Sequence, residues 1–304
     1  MSTLKRLAIS VGDLNGVGFE ILLKAHETIK HLCQPLYCIN YTMAYQAARL
    51  LHTQCPNDFS MVKVGGEFVI EAGKVCAKSG RYSYDSFKMA MELAKSKAVD
   101  GIVTLPIHKE AWKRAGIDYV GHTDALRDFF HSNAIMMLGC EKLYVALYTE
   151  HIPLRDVASH ITFEGISDFL LRLYATTQEE RIAVLGLNPH AGDHGVLGDE
   201  ERIIEAAIAH VNTTLGKTIF FGAIVPDIAF TPRFRAHTRM MVAMYHDQGL
   251  APLKALYFDE GINVSLGLPI IRTSVDHGTA FDIAYCNKAS TVSYSNAVKA
   301  ALHF

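Results

Sequence analysis

Three apolar, strand-like runs each end in a polar stretch that carries histidine: Y-T-E-H with His151, N-P-H with Asn188 and His190, and M-Y-H-D-Q-G with His246 and Asp247. A fourth stretch, G-H-T-D, places His122 and Thr123 just before a helical pattern. Neutral imidazole suits zinc, cobalt and similar divalent ions. Three histidines delivered by separate strand ends are what a three-imidazole metal site requires. A carboxylate beside such a ligand can orient its ring, a role open to Asp247. The same residues have plainer uses, since Asn188-Pro189-His190 suits a turn and Asp247 suits a helix cap. Spacing alone leaves both readings open.

Two further motifs bear on anions. The loop GDLNGVG, residues 12–18, lies between a strand and a helix but matches neither G-x-G-x-x-G nor G-x-x-x-x-G-K-S/T, so a tight strand-to-helix turn is the favoured reading. In SLGLPIIRTSVDHGTAFDIA, residues 265–284, Arg272 follows an apolar run and with Lys254 and Asn263 could hold a phosphate by charge-assisted hydrogen bonds. The competing reading pairs Arg272 with Asp276 or another surface carboxylate. His277-Gly278-Thr279-Ala280 is expected to open a helix and to offer backbone N–H groups to an anion or a dinucleotide.

The elements that must position these residues alternate along the whole chain. RLAISV, PLYCI, a run around FSMVKV, GIVTLP, AIMMLG, KLYVALYT, RIAVLGL, TIFFGAIV and RMMVAMY read as strands. Between them lie amphipathic helices, among them FEILLKAHETIKHL and SYDSFKMAMELAKSKAV, the latter with Ser83 as a cap. This order predicts an α/β protein with helices on both faces of mainly parallel sheets, whose strand ends build the ligand crevice. The 304 residues suit two domains, yet no linker or repeat marks a boundary.

Composition excludes several function classes. Lys plus Arg is 29 against 31 for Asp plus Glu, a net charge of −2 without charge blocks, so no nucleic-acid partner is expected. The six cysteines show no C-x-x-C pair and read as reduced and mostly buried. Neither a signal peptide nor a membrane span is visible, so no membrane partner and a cytoplasmic location are expected.

Taken in order, GHTD, NPHAG, MYHDQGLAPLK and GINVSLGLPIIRTSVDHGTA resemble the 4-hydroxythreonine-4-phosphate dehydrogenase family of vitamin B6 (pyridoxal phosphate) biosynthesis, and the resemblance runs from GDLNGVG to the C-terminal helix. It implies an isopropylmalate-dehydrogenase-like fold of two α/β/α domains with a cleft between them. Residues 1–120 plus 270–304 would form the first, and 121–269 the second, with the metal ligands and dimer contacts. It implies a homodimer with its active site at the subunit interface. One divalent ion (zinc, cobalt or magnesium) would sit on His151, His190 and His246. A small phosphorylated substrate would be held by His122, Thr123, Lys254, Asn263 and Arg272. NAD or NADP would lie against His277, Gly278, Thr279 and Ala280, with Asn188. Asp247 and Lys254 are the catalytic candidates, Asp247 to orient a ligand or relay a proton, Lys254 to neutralise an anion or act as general base.

The implied reaction is oxidation of 4-phosphooxy-L-threonine at its 3-hydroxyl, followed by decarboxylation. Leu14, Asn15 and Phe19 depart from the family's usual Pro, Ala and Pro. Leu105 stands where glycine is usual, and Ser290 and Val292 replace a common Asp and Gly. None is a proposed metal ligand, but they leave NAD against NADP open. Rival functions are a dehydrogenase for 4-phospho-D-erythronate or 4-phospho-D-threonate, an acyl transferase acting on phosphate, and a non-catalytic metal or nucleotide-binding protein.

Overall fold

The computed structural model describes residues 4–304. Among them the strands are β1 (Arg6–Ser10), β2 (Gln34–Cys38), β3 (Met61–Val62), β4 (Gly101–Thr104), β5 (Ile135–Cys140), β6 (Leu143–Leu147), β7 (Ile182–Leu185), β8 (Phe220–Ile224), β9 (Met240–Ala243), β10 (Ile262–Leu266) and β11 (Ile271–Val275). Helices separate most of them, and the chain is an α/β protein as its periodicity implies. It divides into two compact units, one comprising residues up to Ala134 together with Ile262–Phe304, the other Ile135–Gly261. These divisions differ from the expected 120/121 and 269/270. The helix His122–Phe130 precedes the first, and β10 pairs with β11 after the second.

In the discontinuous unit the strand order is β3-β2-β1-β4-β11-β10, parallel throughout except for the antiparallel pair β10–β11. Arg272 lies inside β11 rather than after it. Side chains alternate along a strand, so Arg272 and Ser274 share one face and Thr273 takes the other, where its hydroxyl donates to Ala297 O of the helix Val292–His303. The helix Ala77–Lys95 is capped by Cys76, whose Sγ accepts from Ser79 N, and not by Ser83. Ser83 is instead buried mid-helix, where it accepts from Trp112 Nε1 at 2.8 Å. Gly80 permits this contact, because a Cβ there would stand 2.2 Å from Ala111 O.

In the other unit the order is β5-β6-β9-β7-β8, with only β5–β6 antiparallel. Leu143, Val145 and Leu147 of β6 and Met241 and Ala243 of β9 join Leu250 and Leu253 of the helix His246–Tyr257 in one apolar core. Burying each leucine contributes about 1.5–3 kcal/mol, and that holds this helix against the sheet with its first residue, His246, fixed in place. Of the six cysteines three are buried, fewer than expected, while Cys286 is exposed; all are free thiols. Among the described residues no helix is long and apolar enough to cross a membrane.

Candidate active site

Each unit carries one group of the expected residues. In the discontinuous unit the group is centred on Arg272, which is 2% exposed. Its Nη2 donates to Thr104 Oγ1 at 2.6 Å and its Nη1 to Ser265 Oγ at 3.3 Å, while its buried Nε has no partner. Among the described residues no carboxylate pairs with it; its side-chain partners are Thr104 and Ser265 in place of the expected Asp276. Desolvation alone pulls its pKa down to about 9. Register explains the company it keeps: Ser265 is its partner across β10–β11, Asn263 is the partner of Ser274, and Ser274 in turn is the partner of Thr104 on β4. Five polar side chains therefore project from one face of three adjacent strands.

His122 opens the helix His122–Phe130, with Thr123 next to it. Its ring stands edge-on to Phe87 and Trp112, at centroid distances of 4.6 and 5.7 Å. Burial, and secondarily the charge of Arg272, depress its pKa well below 6.5, so the imidazole is neutral at physiological pH. Its Nε2 is buried without a partner, as is Asn263 Oδ1. Among the described residues six buried side-chain polar atoms lack partners, and three of them belong to His122, Asn263 and Arg272. Buried polar groups are nearly always satisfied, so these orphans beside a cation without a counter-charge make this face a candidate ligand site, where Arg272 Nε–H calls for an acceptor and Asn263 Oδ1 for a donor.

The second group lies in the other unit. The rings of His151 and His246 have centroids 5.4 Å apart. Two imidazoles on one tetrahedral ion, with metal–nitrogen bonds of about 2.0–2.1 Å, would have centroids roughly 5 Å apart, so this pair fits a shared divalent ion. Asp247 Oδ1 lies 2.7 Å from His246 Nδ1. A carboxylate accepting there keeps the proton on Nδ1 and leaves the Nε2 lone pair for a metal. Asp247 is in the first turn of the helix that His246 opens and gives it no side-chain cap. Lys254 is eight residues further along that helix, about 12 Å along its axis from His246.

His190 is not brought into the same contact. It sits in the turn Pro189–Gly195, in which His190, Ala191, Gly192, Asp193 and His194 all have φ between 43° and 76°. Left-handed backbone costs a non-glycine residue about 1–2 kcal/mol, so the segment that carries His190 is strained. The ring lines a cavity of about 480 Å³ with Asp193, His194, Glu201 and Arg202.

Three side chains that spacing did not single out hold these strand ends. Gln248 accepts from Met244 N and donates to Gly186 O, both at 2.7 Å, and Thr149 Oγ1 donates to Met244 O at 2.6 Å. Together they tie the segments after β6, β7 and β9. Glu201 accepts from Leu187 N, Asn188 N and Asn188 Nδ2, at 2.8, 2.7 and 3.1 Å. Asn188 also donates to Glu200 at 2.7 Å, so its amide hydrogens are already committed within the loop.

The expected cofactor residues differ from their sequence reading. No helix opens at His277. Residues 277–280 form a loop that ends in left-handed Ala280 and a single 3-10 turn, Phe281–Ile283. That loop packs on GDLNGVG: Val17 N donates to Thr279 O at 3.0 Å, and a Cβ on Gly16 would stand 2.6 Å from the same oxygen. The N–H groups of Asp13, Asn15 and Gly16 are likewise used internally. GDLNGVG is thus a tight turn that supports the 277–280 loop.

The model of the pyridoxal phosphate biosynthetic protein PdxA family matches residues 22–301. The chain belongs to this family. It is 61% identical over 297 residues to a protein named 4-hydroxythreonine-4-phosphate dehydrogenase from Sulfurimonas denitrificans, covering 98% of this chain and 97% of that one. It is 49% identical to the Helicobacter pylori protein of the same name, at 97% and 98% coverage. A crystal structure of a Burkholderia phymatum 4-hydroxythreonine-4-phosphate dehydrogenase superposes with a TM-score of 0.81 at 31% identity, over 99% of this chain and 98% of that one. The chain is accordingly a dehydrogenase. A branched-chain phosphotransacylase from Enterococcus faecalis, at 11% identity and a TM-score of 0.58, shares the fold alone.

Among the described residues, the side chains whose ligand atoms all lie within 4.8 Å of one another are His26, Glu27 and Asp58, not the three expected histidines. Lys30 already places its ammonium 2.8 Å from Glu27 and 2.9 Å from Asp58, and both His26 nitrogens have partners, in Tyr37 and Asp58. A metal ion there would have to displace Lys30.

Proposed function

We propose that the enzyme oxidises the 3-hydroxyl of 4-phosphooxy-L-threonine by hydride transfer to NAD or NADP, giving 2-amino-3-oxo-4-phosphooxybutanoate. That β-keto acid then loses carbon dioxide: the C1–C2 electrons move toward the C3 carbonyl, C2 takes up a proton, and 3-amino-2-oxopropyl phosphate results. The observation that carries this reading is the buried, carboxylate-free guanidinium of Arg272 beside the orphaned polar atoms of His122 and Asn263. A phosphate monoester supplies the counter-charge and the acceptor that Arg272 Nε–H lacks, and an acceptor for His122 in its Nε2–H tautomer, while Asn263 Oδ1, an acceptor itself, would take a hydrogen from a donor group of the substrate. The relatives' names supply the rest of the substrate.

His151, His190 and His246 would hold a divalent ion of the zinc, cobalt or magnesium class. The adjoining rings of His151 and His246 and the Asp247 bond support this, and His190 would complete the set. When bound, such an ion supplies a Lewis acid that eases loss of the hydroxyl proton and stabilises charge on the product carbonyl. Asp247 acts by orienting His246. The axial separation of Lys254 from His246 favours Lys254 as an anion-binding residue over a general base. The 277–280 loop is the candidate nicotinamide contact, and the sequence resemblance implies a cytoplasmic homodimer with its active site at the subunit interface.

The test is NAD and NADP reduction by the purified protein with 4-phosphooxy-L-threonine, 4-phospho-D-erythronate and 4-phospho-D-threonate, before and after chelation and re-addition of zinc, cobalt or magnesium. Metal-restored turnover of the threonine derivative alone is expected. Preference for a sugar-acid phosphate would move the enzyme out of vitamin B6 synthesis, and turnover indifferent to chelation would remove the metal.

A further inference from the structure

The charge of Arg272 does not by itself aim the guanidinium. Five N–H groups sit on this rigid planar fork, and a buried fork without a counter-charge needs neutral acceptors to fix its plane. Both terminal nitrogens have them, and the acceptors stand on opposite sides. Thr104 is on β4 and Ser265 on β10, the two strands that flank β11. Thr104 is fully buried and Ser265 is 1% exposed. Nη2 reaches Thr104 at 2.6 Å, Nη1 reaches Ser265 at 3.3 Å, and Nε is left with an unmet N–H.

Building on the phosphate-binding reading above, we propose that Thr104 and Ser265 are positioning residues. They pin one hydrogen of each terminal nitrogen to a neighbouring strand, so that the Nε edge of Arg272 is presented to the oxoanion. Hydroxyls suit this task because they accept a hydrogen bond without neutralising the cation. An Asp or Glu at either place would close the fork into an internal ion pair and cancel the charge that the ligand needs. A valine at 104 would keep the shape and leave a buried N–H without an acceptor.

The experiment uses the full-length enzyme, with inorganic phosphate as a competitive probe alongside the phosphorylated substrate. In Thr104→Val, the phosphate inhibition constant and the substrate KM should both rise by about tenfold or more, the loss expected for one hydrogen bond to a charged group, while the nicotinamide KM stays put. Thr104→Ser should restore both constants, and Ser265→Ala, which removes the longer bond, should show a smaller rise. If wild-type enzyme shows no competition by phosphate, the phosphate reading falls and takes this inference with it. If wild-type competes but Thr104→Val keeps its inhibition constant, or Thr104→Ser is as weak as Thr104→Val, the positioning role alone is overturned. Ser265→Ala with unchanged constants would remove Ser265 from it. Because Thr104→Ser and Ser265→Ala are mild changes, the test survives even if valine at 104 impairs folding.

Discussion

The two groups of candidate residues solve opposite problems. Around Arg272 the protein has taken a cation and several polar atoms out of water and left them incompletely satisfied within the protein. Around His246 the side chains are half-exposed or exposed, each ring can be hydrated, and one of the three histidines stands in a strained turn apart from the other two. Desolvation makes the first group costly to the fold in the absence of a ligand, whereas the second costs little beyond backbone strain. The comparison teaches that the proposed anion site is specified by burial and the proposed metal site by a few orienting bonds. Substitutions should therefore affect stability differently in the two places.

The largest effect is expected at the proposed metal site. His246→Ala should abolish metal binding and lower kcat/KM by more than about 1,000-fold, because a divalent ion contributes several kcal/mol of transition-state stabilisation. The fold should be kept, since the ring is half-exposed. Metal content after gel filtration, read beside activity, checks this, and an active, metal-replete variant would sink the assignment. Next comes Arg272→Met. Losing several charge-assisted hydrogen bonds of about 1.5–3 kcal/mol each should reduce kcat/KM by roughly 100- to 1,000-fold. Removing an unpaired buried cation should at the same time leave Tm unchanged or raise it, since replacing buried charges by apolar side chains is often neutral or stabilising. A fall in both activity and Tm would mean that Arg272 holds the strands together and is not waiting for a ligand. Smaller again is Asp247→Asn. The amide can donate to Nδ1, which frees the wrong tautomer of His246, and second partners of this kind are worth about 10–100-fold in metal affinity. A chelator titration that matches wild type would reduce Asp247 to a surface residue.

Much of the scaffold was legible in the sequence because it is local. Alternation of apolar runs and amphipathic stretches marked most of the strands, and polar residues after them marked His151, His190 and His246. What spacing could not show are partners set by strand order. Thr104 and Arg272 are 168 residues apart and meet because β4 and β11 are neighbours. Gln248 and Gly186 meet because β9 lies beside β7. The reading of HGTA as a helix start failed for a related reason, since Thr279 O is used by Val17 N and the chain turns left-handed at Ala280 before a helix can form. Serine favours a helix cap, which is what the sequence suggests for Ser83, but Trp112 Nε1 claims its hydroxyl from another helix.

The smallest effect concerns the ionisation of the buried site. Because His122 has its folded-state pKa depressed below 6.5 by burial and by Arg272, the unfolded chain binds a proton there more readily than the folded one. Stability associated with a neutral His122 is fully present above about pH 6.5 and is lost as pH falls below it. Two perturbed carboxyls help to isolate this contribution. Asp58, drawn down to about 2 by Lys30 and then by His26, loses its contribution only as pH falls below 3.8. Asp13, raised by desolvation, acts with the opposite sign, being relieved rather than strained by acid. A decline in Tm beginning near pH 6.5 in wild type and absent from His122→Gln would locate the effect at the anion site. A decline of equal size in the variant would assign it to groups other than His122, and the contrast between a buried anion site and an open metal site would lose this electrostatic support.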